Sequence, residues 1–236
     1  MDILYIIIPA YNEEENIRQV IEDWYPVVER HHGDGASRLV VINDGSTDRT
    51  YEIICECAQS RPLLQPLTKE NSGHGATLLY GYRYALKSGA AYVFQTDSDG
   101  QTLASEFEPF WAGRKLWDMC IGWRKHREDG AGRVVVSRVL RLLLLLIFHV
   151  RVRDANCPYR LISRETLSAC LPQIPRDYPL ANVLLSVLCA RRKYRVLSLP
   201  VTFRPRQGGR NSINARRILS IGTQAVRDFR TLRKQI

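Results

Sequence analysis

At 236 residues the chain is the size of one large domain and can bury a full core without disulfide or metal staples. Hydrophobic residues make up 45% and charged residues 25%, which excludes collagen-like, coiled-coil and disordered chains. Lys+Arg number 34 against 24 Asp+Glu, a net charge of +10, so an anionic partner is expected: nucleic acid, an anionic membrane surface or a phosphorylated small molecule.

Residues 4–8 read as a first strand; an acid at position 2 and a short apolar stretch before Pro9 argue against a signal peptide. Ile17, Val20, Ile21, Trp24, Val27 and Val28 keep to one face of a 3.6-residue period and predict a helix. A second strand over 39–43 precedes a helix with Tyr51, Ile54, Cys55 and Ala58 on one face, with Ser46 or Thr47 as its N-cap. Residues 63–67 form a third strand, Leu78, Leu79, Tyr82, Ala85 and Leu86 mark a helix closed by Gly89, and 92–96 form a fourth strand that runs into TDSDGQ. This alternation predicts an α/β fold: a mostly parallel sheet with helices on both faces and its ligands at the carboxyl ends of the strands.

The second half reads differently. Residues 134–150 hold 13 apolar residues in 17 but also Arg138 and Arg141. As a membrane span the apolar side chains would contribute about −4 to −8 kcal/mol and two central arginines about +5 to +7, near break-even. With Arg133, Arg151 and Arg153 at its flanks, the segment is expected to lie in a membrane interface, with a buried core helix as the alternative. Beyond it come a strand-like CPYRLI, a helix over 180–190, a strand pair either side of Pro200 and a basic C-terminal helix from about residue 213. Residues 216–236 carry six basic side chains and one acid, half of the excess charge. The six cysteines (Cys55, Cys57, Cys120, Cys157, Cys170, Cys189) form no CxxC pair and read as small hydrophobes in a reducing, cytosolic compartment.

Four loops at strand ends carry the chemistry. In TDSDGQ, Asp97 and Asp99 stand two apart just past a strand and point the same way, a pair suited to Mg²⁺ or Mn²⁺ that takes its remaining ligands from water and a diphosphate. In NDGSTD, Asp44 can accept from a nucleobase or ribose; in PAYNEEEN, Pro9 and Tyr11 shape the loop and Glu13 can reach base or ribose, although both motifs also read as helix caps. NSGHGA is a glycine-rich helix entry able to offer N–H groups to a phosphate. It lacks G-x-G-x-x-G, which argues against a nicotinamide enzyme.

Taken together from IPAYNEEENI through VINDGSTDRT, NSGHGA, QTDSDGQ, WRKHRED, RDANCPYR and FRPRQGGRNSIN, the chain resembles family 2 glycosyltransferases of the GT-A fold, within them the dolichol-phosphate and polyprenyl-phosphate hexose synthases. The resemblance implies a single domain over 1–236: a nucleotide-sugar half (1–122) and an acceptor half (123–236) with interfacial helices. It assigns Pro9, Tyr11, Glu13, Ile42 and Asp44 to the nucleoside, Ser98 and Asp99 to the diphosphate, and Asp97, Asp99 and Gln101 to a Mg²⁺ or Mn²⁺ ion. It puts Arg124 and Arg206 on donor phosphate, and Arg133, Arg138, Arg160 and Ser212 on the acceptor side. Asp97, Asp99, Asp154 and Arg206 form the implied catalytic set. The late loop departs from the mannose branch, reading Gly209-Arg210-Asn211-Ser212 where Ser-Lys usually follows the glycine.

The implied reaction is an inverting transfer of a hexose from a nucleotide-diphosphate sugar, of GDP-mannose or UDP-glucose type, to a polyprenyl or dolichyl phosphate. The setting is the cytoplasmic face of a membrane, as a peripheral protein, and the resemblance admits a membrane-protein partner subunit. The alternative within the family is transfer to a saccharide or lipid-linked glycan of a cell-wall, capsule or surface polymer. A basic nucleic-acid-binding protein is the remote alternative: no RNA-binding strand motif or DNA-reading helix accompanies the charge, and TDSDGQ would go unexplained.

Overall fold

The computed structural model describes residues 2–127, 131–206 and 228–229. In chain order it contains β1 (Leu4–Ala10), α1 (Ile17–Arg30), β2 (Arg38–Asp44), α2 (Thr50–Ala58), β3 (Leu64–Lys69), α3 (His74–Lys87), β4 (Tyr92–Gln95), α4 (Glu108–Gly113), β5 (Met119–Arg127), α5 (Ala131–Phe148), β6 (Arg160–Ser163), α6 (Arg164–Cys170), α7 (Ala181–Arg191) and β7 (Val196–Phe203). The strands make one seven-stranded sheet in the order β3-β2-β1-β4-β6-β5-β7, parallel except for β6, which runs antiparallel to β4 and β5.

All seven residues of β1 are buried, as an unbroken apolar run in a parallel sheet must be when helices cover both faces. Its side chains alternate between two cores. Tyr5 and Ile7 join α3, α5, α6 and α7, whereas Leu4, Ile6, Ile8 and Ala10 join α1, α2 and α4 around an aromatic cluster of Trp24, Phe94, Phe107, Phe110 and Tyr159. Helix α3 can press on the sheet because residue 81 is glycine: a Cβ there would stand 2.5 Å from Ile7 Cγ2 and 2.7 Å from Ile42 Cδ1. Strand order reverses between β1 and β4, since β2 and β3 lie to one side of β1 and β4 to the other, which opens a crevice at their carboxyl ends.

All six apolar positions expected for α1 are buried. The inward face of α2 is instead Thr50, Ile53, Ile54 and Cys57, one step round from the expected Tyr51, Cys55 and Ala58. Its first turn is held neither by Ser46 nor by Thr47 but by Asp48, whose Oδ1 accepts from the Thr50 N–H at 3.0 Å. The strand pair expected around Pro200 is one strand, β7, with the proline inside it; β7 ends the sheet and pairs only with β5, so the missing N–H costs no ladder bond. The basic helix expected from residue 213 lies outside the described residues, apart from Asp228 and Phe229; the Phe229 ring packs on Phe148. Among the described residues no helix is long and apolar enough to cross a membrane.

Candidate active site

The loops that follow β1, β2 and β4 meet at the crevice and are stitched together by side chains. Asn12, at φ 53°, accepts from the Thr47 N–H at 2.8 Å and gives its own N–H to Ser46 Oγ at 3.0 Å. The Glu13 N–H donates to Thr50 Oγ1 at 2.8 Å, and Glu14 Oε2 accepts from the Arg49 N–H at 3.0 Å. The helix-cap reading of these motifs was therefore incomplete: their polar side chains bind one loop to the other. Tyr11 stands 44% exposed at the mouth, while Pro9 is buried within β1.

Asp44 ends β2 and faces the third loop. It receives Lys69 Nζ at 2.5 Å and the N–H groups of Ser72 and Gly73 at 3.0 Å each. Burial works to raise its carboxyl, but Lys69 and the Ser72 amide outweigh it and hold the group below the ordinary carboxylate range. Gly45 has φ 65°, and a Cβ on it would lie 2.7 Å from Asn71 N, so only glycine lets the two loops touch. Ile42 is a correction: its side chain is fully buried against Gly81, leaving only its backbone for a nucleoside.

After β4, Thr96 Oγ1 bonds Thr102 Oγ1 at 2.6 Å and closes the TDSDGQ turn, with Gly100 at φ 71°. Asp99 Oδ1 accepts from the Gln101 N–H at 3.2 Å. Gln101 is clamped to the strand-end loop of β7: Nε2 donates to the Arg204 carbonyl, and the Arg204 N–H to the Gln101 carbonyl, each at 2.8 Å. That clamp carries Arg206 over the crevice, where its guanidinium meets Glu13 Oε1 at 2.5 Å. Glu13 also accepts from Asn16 Nδ2 at 2.7 Å; burial raises its carboxyl despite these partners.

The two carboxylates of the turn fit a divalent cation. Burial first, then the neighbouring Asp97 charge, push Asp99 up to about 7, against the pull of the Gln101 N–H and Arg206. Asp97 Oδ1 is buried without a hydrogen-bond partner, with the ring nitrogen His74 Nε2 3.8 Å away. A hard cation on these oxygens would satisfy the orphan atom and relieve the repulsion. Among the described residues no three His, Cys, Asp or Glu side chains gather to cage a metal, so the rest of its shell falls to water and diphosphate. Ser98 is buried beside them, and Gln101 keeps only its amide oxygen for such a role.

At the carboxyl end of β5, Arg124 donates from Nε and Nη2 to the two oxygens of Asp154, both at 2.8 Å, and lies over the Phe203 ring. This fork commits Arg124, expected on donor phosphate, to a carboxylate in this structure. Arg160 is a second correction: it is 0% exposed and donates to the carbonyls of Ala155, Cys157 and Asn182 and to Ser186 Oγ, so it cannot meet an acceptor. Replacing it with methionine removes five buried hydrogen bonds, which Ser186 Oγ offsets only in part at the Ala155 and Asn182 carbonyls, and is expected to cost at least about 3 kcal/mol in urea unfolding, with the acceptor KM of the folded enzyme unchanged. Arg138 is exposed on α5; the side chain of Arg133 and all of Ser212 lie outside the described residues. Lys69 stands in no sequence pattern that separates it from an ordinary surface residue, and the His74 side chain goes unread inside NSGHGA because that motif is read for its backbone N–H groups.

The six cysteines are free thiols, five of them buried. Dolichyl-phosphate beta-glucosyltransferase ALG5C of Trichomonas vaginalis is 28% identical over 213 residues, which span 83% of this chain but only 62% of that protein. Polyprenol monophosphomannose synthase of Mycolicibacterium smegmatis is 26% identical over 216 residues, 86% of this chain and 78% of the relative. Among solved structures, glucosyl-3-phosphoglycerate synthase from Mycobacterium tuberculosis in complex with UDP superposes with a TM-score of 0.67 at 20% identity, over 99% of this chain and 80% of that one, which shows a shared GT-A fold. The glycosyl transferase family 2 model matches residues 5–167, from the first strand through the stitched loops, the paired carboxylates and the Arg124–Asp154 fork, and the chain therefore belongs to that family.

Proposed function

We propose that the protein transfers a hexose, with inversion, from a nucleotide-diphosphate sugar to a polyprenyl or dolichyl phosphate, and that it does so as one domain, residues 1–122 taking the donor and 123–236 the acceptor. The observation that carries this reading is the facing of Asp97 and Asp99 by Arg206 at the switch point of the sheet. That arrangement suits a leaving diphosphate. The names of the relatives, acting on dolichyl phosphate or polyprenol phosphate, support the acceptor.

Asp97 and Asp99 would hold the Mg²⁺ or Mn²⁺, which when bound neutralises charge building on the departing diphosphate. Arg206 supplies a second fixed cation there, and Glu13 parks that guanidinium before the donor arrives. A lipid phosphate is already anionic at neutral pH, so its oxygen attacks the anomeric carbon as the bond to the diphosphate breaks, and no residue need take a proton. The two-point grip of Arg124 on Asp154 fits this: the carboxylate is held as an orienting group and not poised as a base.

The acceptor side has the surface a lipid requires. Helix α5 begins at the carboxyl edge of the sheet and is apolar on two faces: Leu144 and Phe148 enter the core, while Val136, Val139, Leu142 and Leu146 remain 42–60% exposed in one stripe. Beside it a depression of about 390 Å³ is lined by Arg141, Arg151 and Arg153 with Leu145, Val150 and Val152, and Arg153 is stacked 3.7 Å over Trp123. Anionic lipid on the cytoplasmic face is the partner that this chemistry matches. The double variant Leu142→Glu with Leu146→Glu is expected to lower flotation with phosphatidylglycerol vesicles more than tenfold, since burying a leucine contributes about 1.5–3 kcal/mol.

The deciding experiment is a panel of nucleotide sugars with Mg²⁺ or Mn²⁺ and a short-chain polyprenyl phosphate, read by mass spectrometry. A hexosyl-phosphoryl-polyprenol is expected. Turnover onto a saccharide acceptor with no lipid-linked product would overturn the acceptor assignment.

A further inference from the structure

A second cavity lies away from the donor crevice. It is an open groove of about 780 Å³ between α3 and the segment that follows α6, and its polar lining is Arg83, Arg176, Ser168 and Gln173 over a floor that includes Leu171 and Ile174. Arg83 follows His74, the first residue of α3, by nine positions, which at a rise of about 1.5 Å per residue puts it about 14 Å along the helix from the donor loop. Beyond the groove, Gly75 lets the carbonyls of Tyr178 and Pro179 press on the first turn of α3, where a Cβ would stand 2.3 Å from the Tyr178 oxygen. The segment from residue 171 then runs beside the helix with Ile174 buried.

We propose that this groove is a second anion site, taking a phosphate-class dianion between Arg83 and Arg176. Two guanidinium groups face one cavity, and among the described residues no carboxylate pairs with either. Arg83 is half-buried, its one recorded bond a long 3.5 Å contact to the Ile174 carbonyl. Burial and then the Arg176 charge draw it below the usual guanidinium range. A dianion neutralises both forks at once, whereas a single carboxylate would leave one in excess; the Ser168 hydroxyl adds a neutral donor. The same chemistry is offered by free phosphate and by a phosphomonoester lipid headgroup.

The test uses the full chain in EDTA, titrated by calorimetry with inorganic phosphate and, in a second arm, with phosphatidic acid against phosphatidylcholine vesicles. Saturable phosphate binding is expected, weakened at least tenfold by Arg83→Gln with Arg176→Gln and unchanged by Arg206→Gln, which removes the cation of the donor crevice. If only phosphatidic acid vesicles show the tenfold dependence on the two arginines, the dianion is a lipid headgroup. The exposed Arg176→Glu gives Arg83 a carboxylate of its own and is expected to abolish phosphate binding while raising the thermal midpoint. Binding indifferent to the arginine pair in both arms, or phosphate binding lost only with Arg206→Gln, would overturn the proposal.

Discussion

Asp99→Asn is expected to lower sugar transfer by about 10²- to 10³-fold, the range found when a single group stabilising transition-state charge is removed. The side chain that remains is the same size and can still accept from the Gln101 N–H, so the loss falls on charge and not on the turn. The same variant should erase a pH dependence. With Asp99 held near 7 in the cation-free chain, a proton and a divalent ion compete for it, and apparent Mn²⁺ affinity should weaken by up to about tenfold per pH unit below 7. Stability follows the opposite sense. The folded chain binds this proton more tightly than the unfolded chain, whose carboxyl titrates near 3.8, so the contribution of Asp99 to stability falls as pH rises from about 4 through 7. Melting of the metal-free wild type and Asp99→Asn across that window measures it. Identical pH profiles for the two proteins, in Mn²⁺ binding and in melting, would remove Asp99 from the centre of the site.

The parts of the fold legible in the sequence were those whose signal is local. The run of β1 and the six inward positions of α1 carry their burial in their own spacing, and TDSDGQ announces itself by standing directly after a strand. What was hidden depends on partners far along the chain. Lys69 is an unremarkable residue until β3 pairs with β2 and sets it beside Asp44, 25 positions earlier. The family resemblance puts Arg160 on the acceptor side; no local pattern tells that five carbonyl and hydroxyl contacts surround it in the core. For Ile42 the resemblance names the residue but not the atoms that serve, since side chains alternate along a strand and only the packing of Gly81 shows which face position 42 takes. In the proposed reading the charge of +10 divides in the same way: Arg206 belongs to the donor side, Arg141, Arg151 and Arg153 to the lipid side, and Arg83 and Arg176 to neither.

Arg206→Ala should be the second large loss, and its character distinguishes transition-state stabilisation from simple donor binding. Arg206 reaches Glu13 from 193 positions away, on a loop clamped to the TDSDGQ turn through Gln101 and Arg204, and its charge also acts on Asp99. If it acts on charge that develops on the leaving diphosphate, kcat should fall by about 10²- to 10³-fold with a smaller change in donor KM. Arg206→Lys should recover part of this, because an ammonium restores the charge without the planar fork. A rise in KM at unchanged kcat would reduce Arg206 to a ground-state contact. Glu13 provides the internal control. Burial already holds its carboxyl above the ordinary value, and without Arg206 it loses the cation that opposes that shift. Arg206→Ala should therefore destabilise the chain at neutral pH, and adding Glu13→Gln should return part of the loss, a coupling of about 0.5–3 kcal/mol in a double-mutant cycle. A cycle that closes at zero would mean that the two side chains are neighbours without being partners, and that Arg206 is held over the crevice by its loop alone.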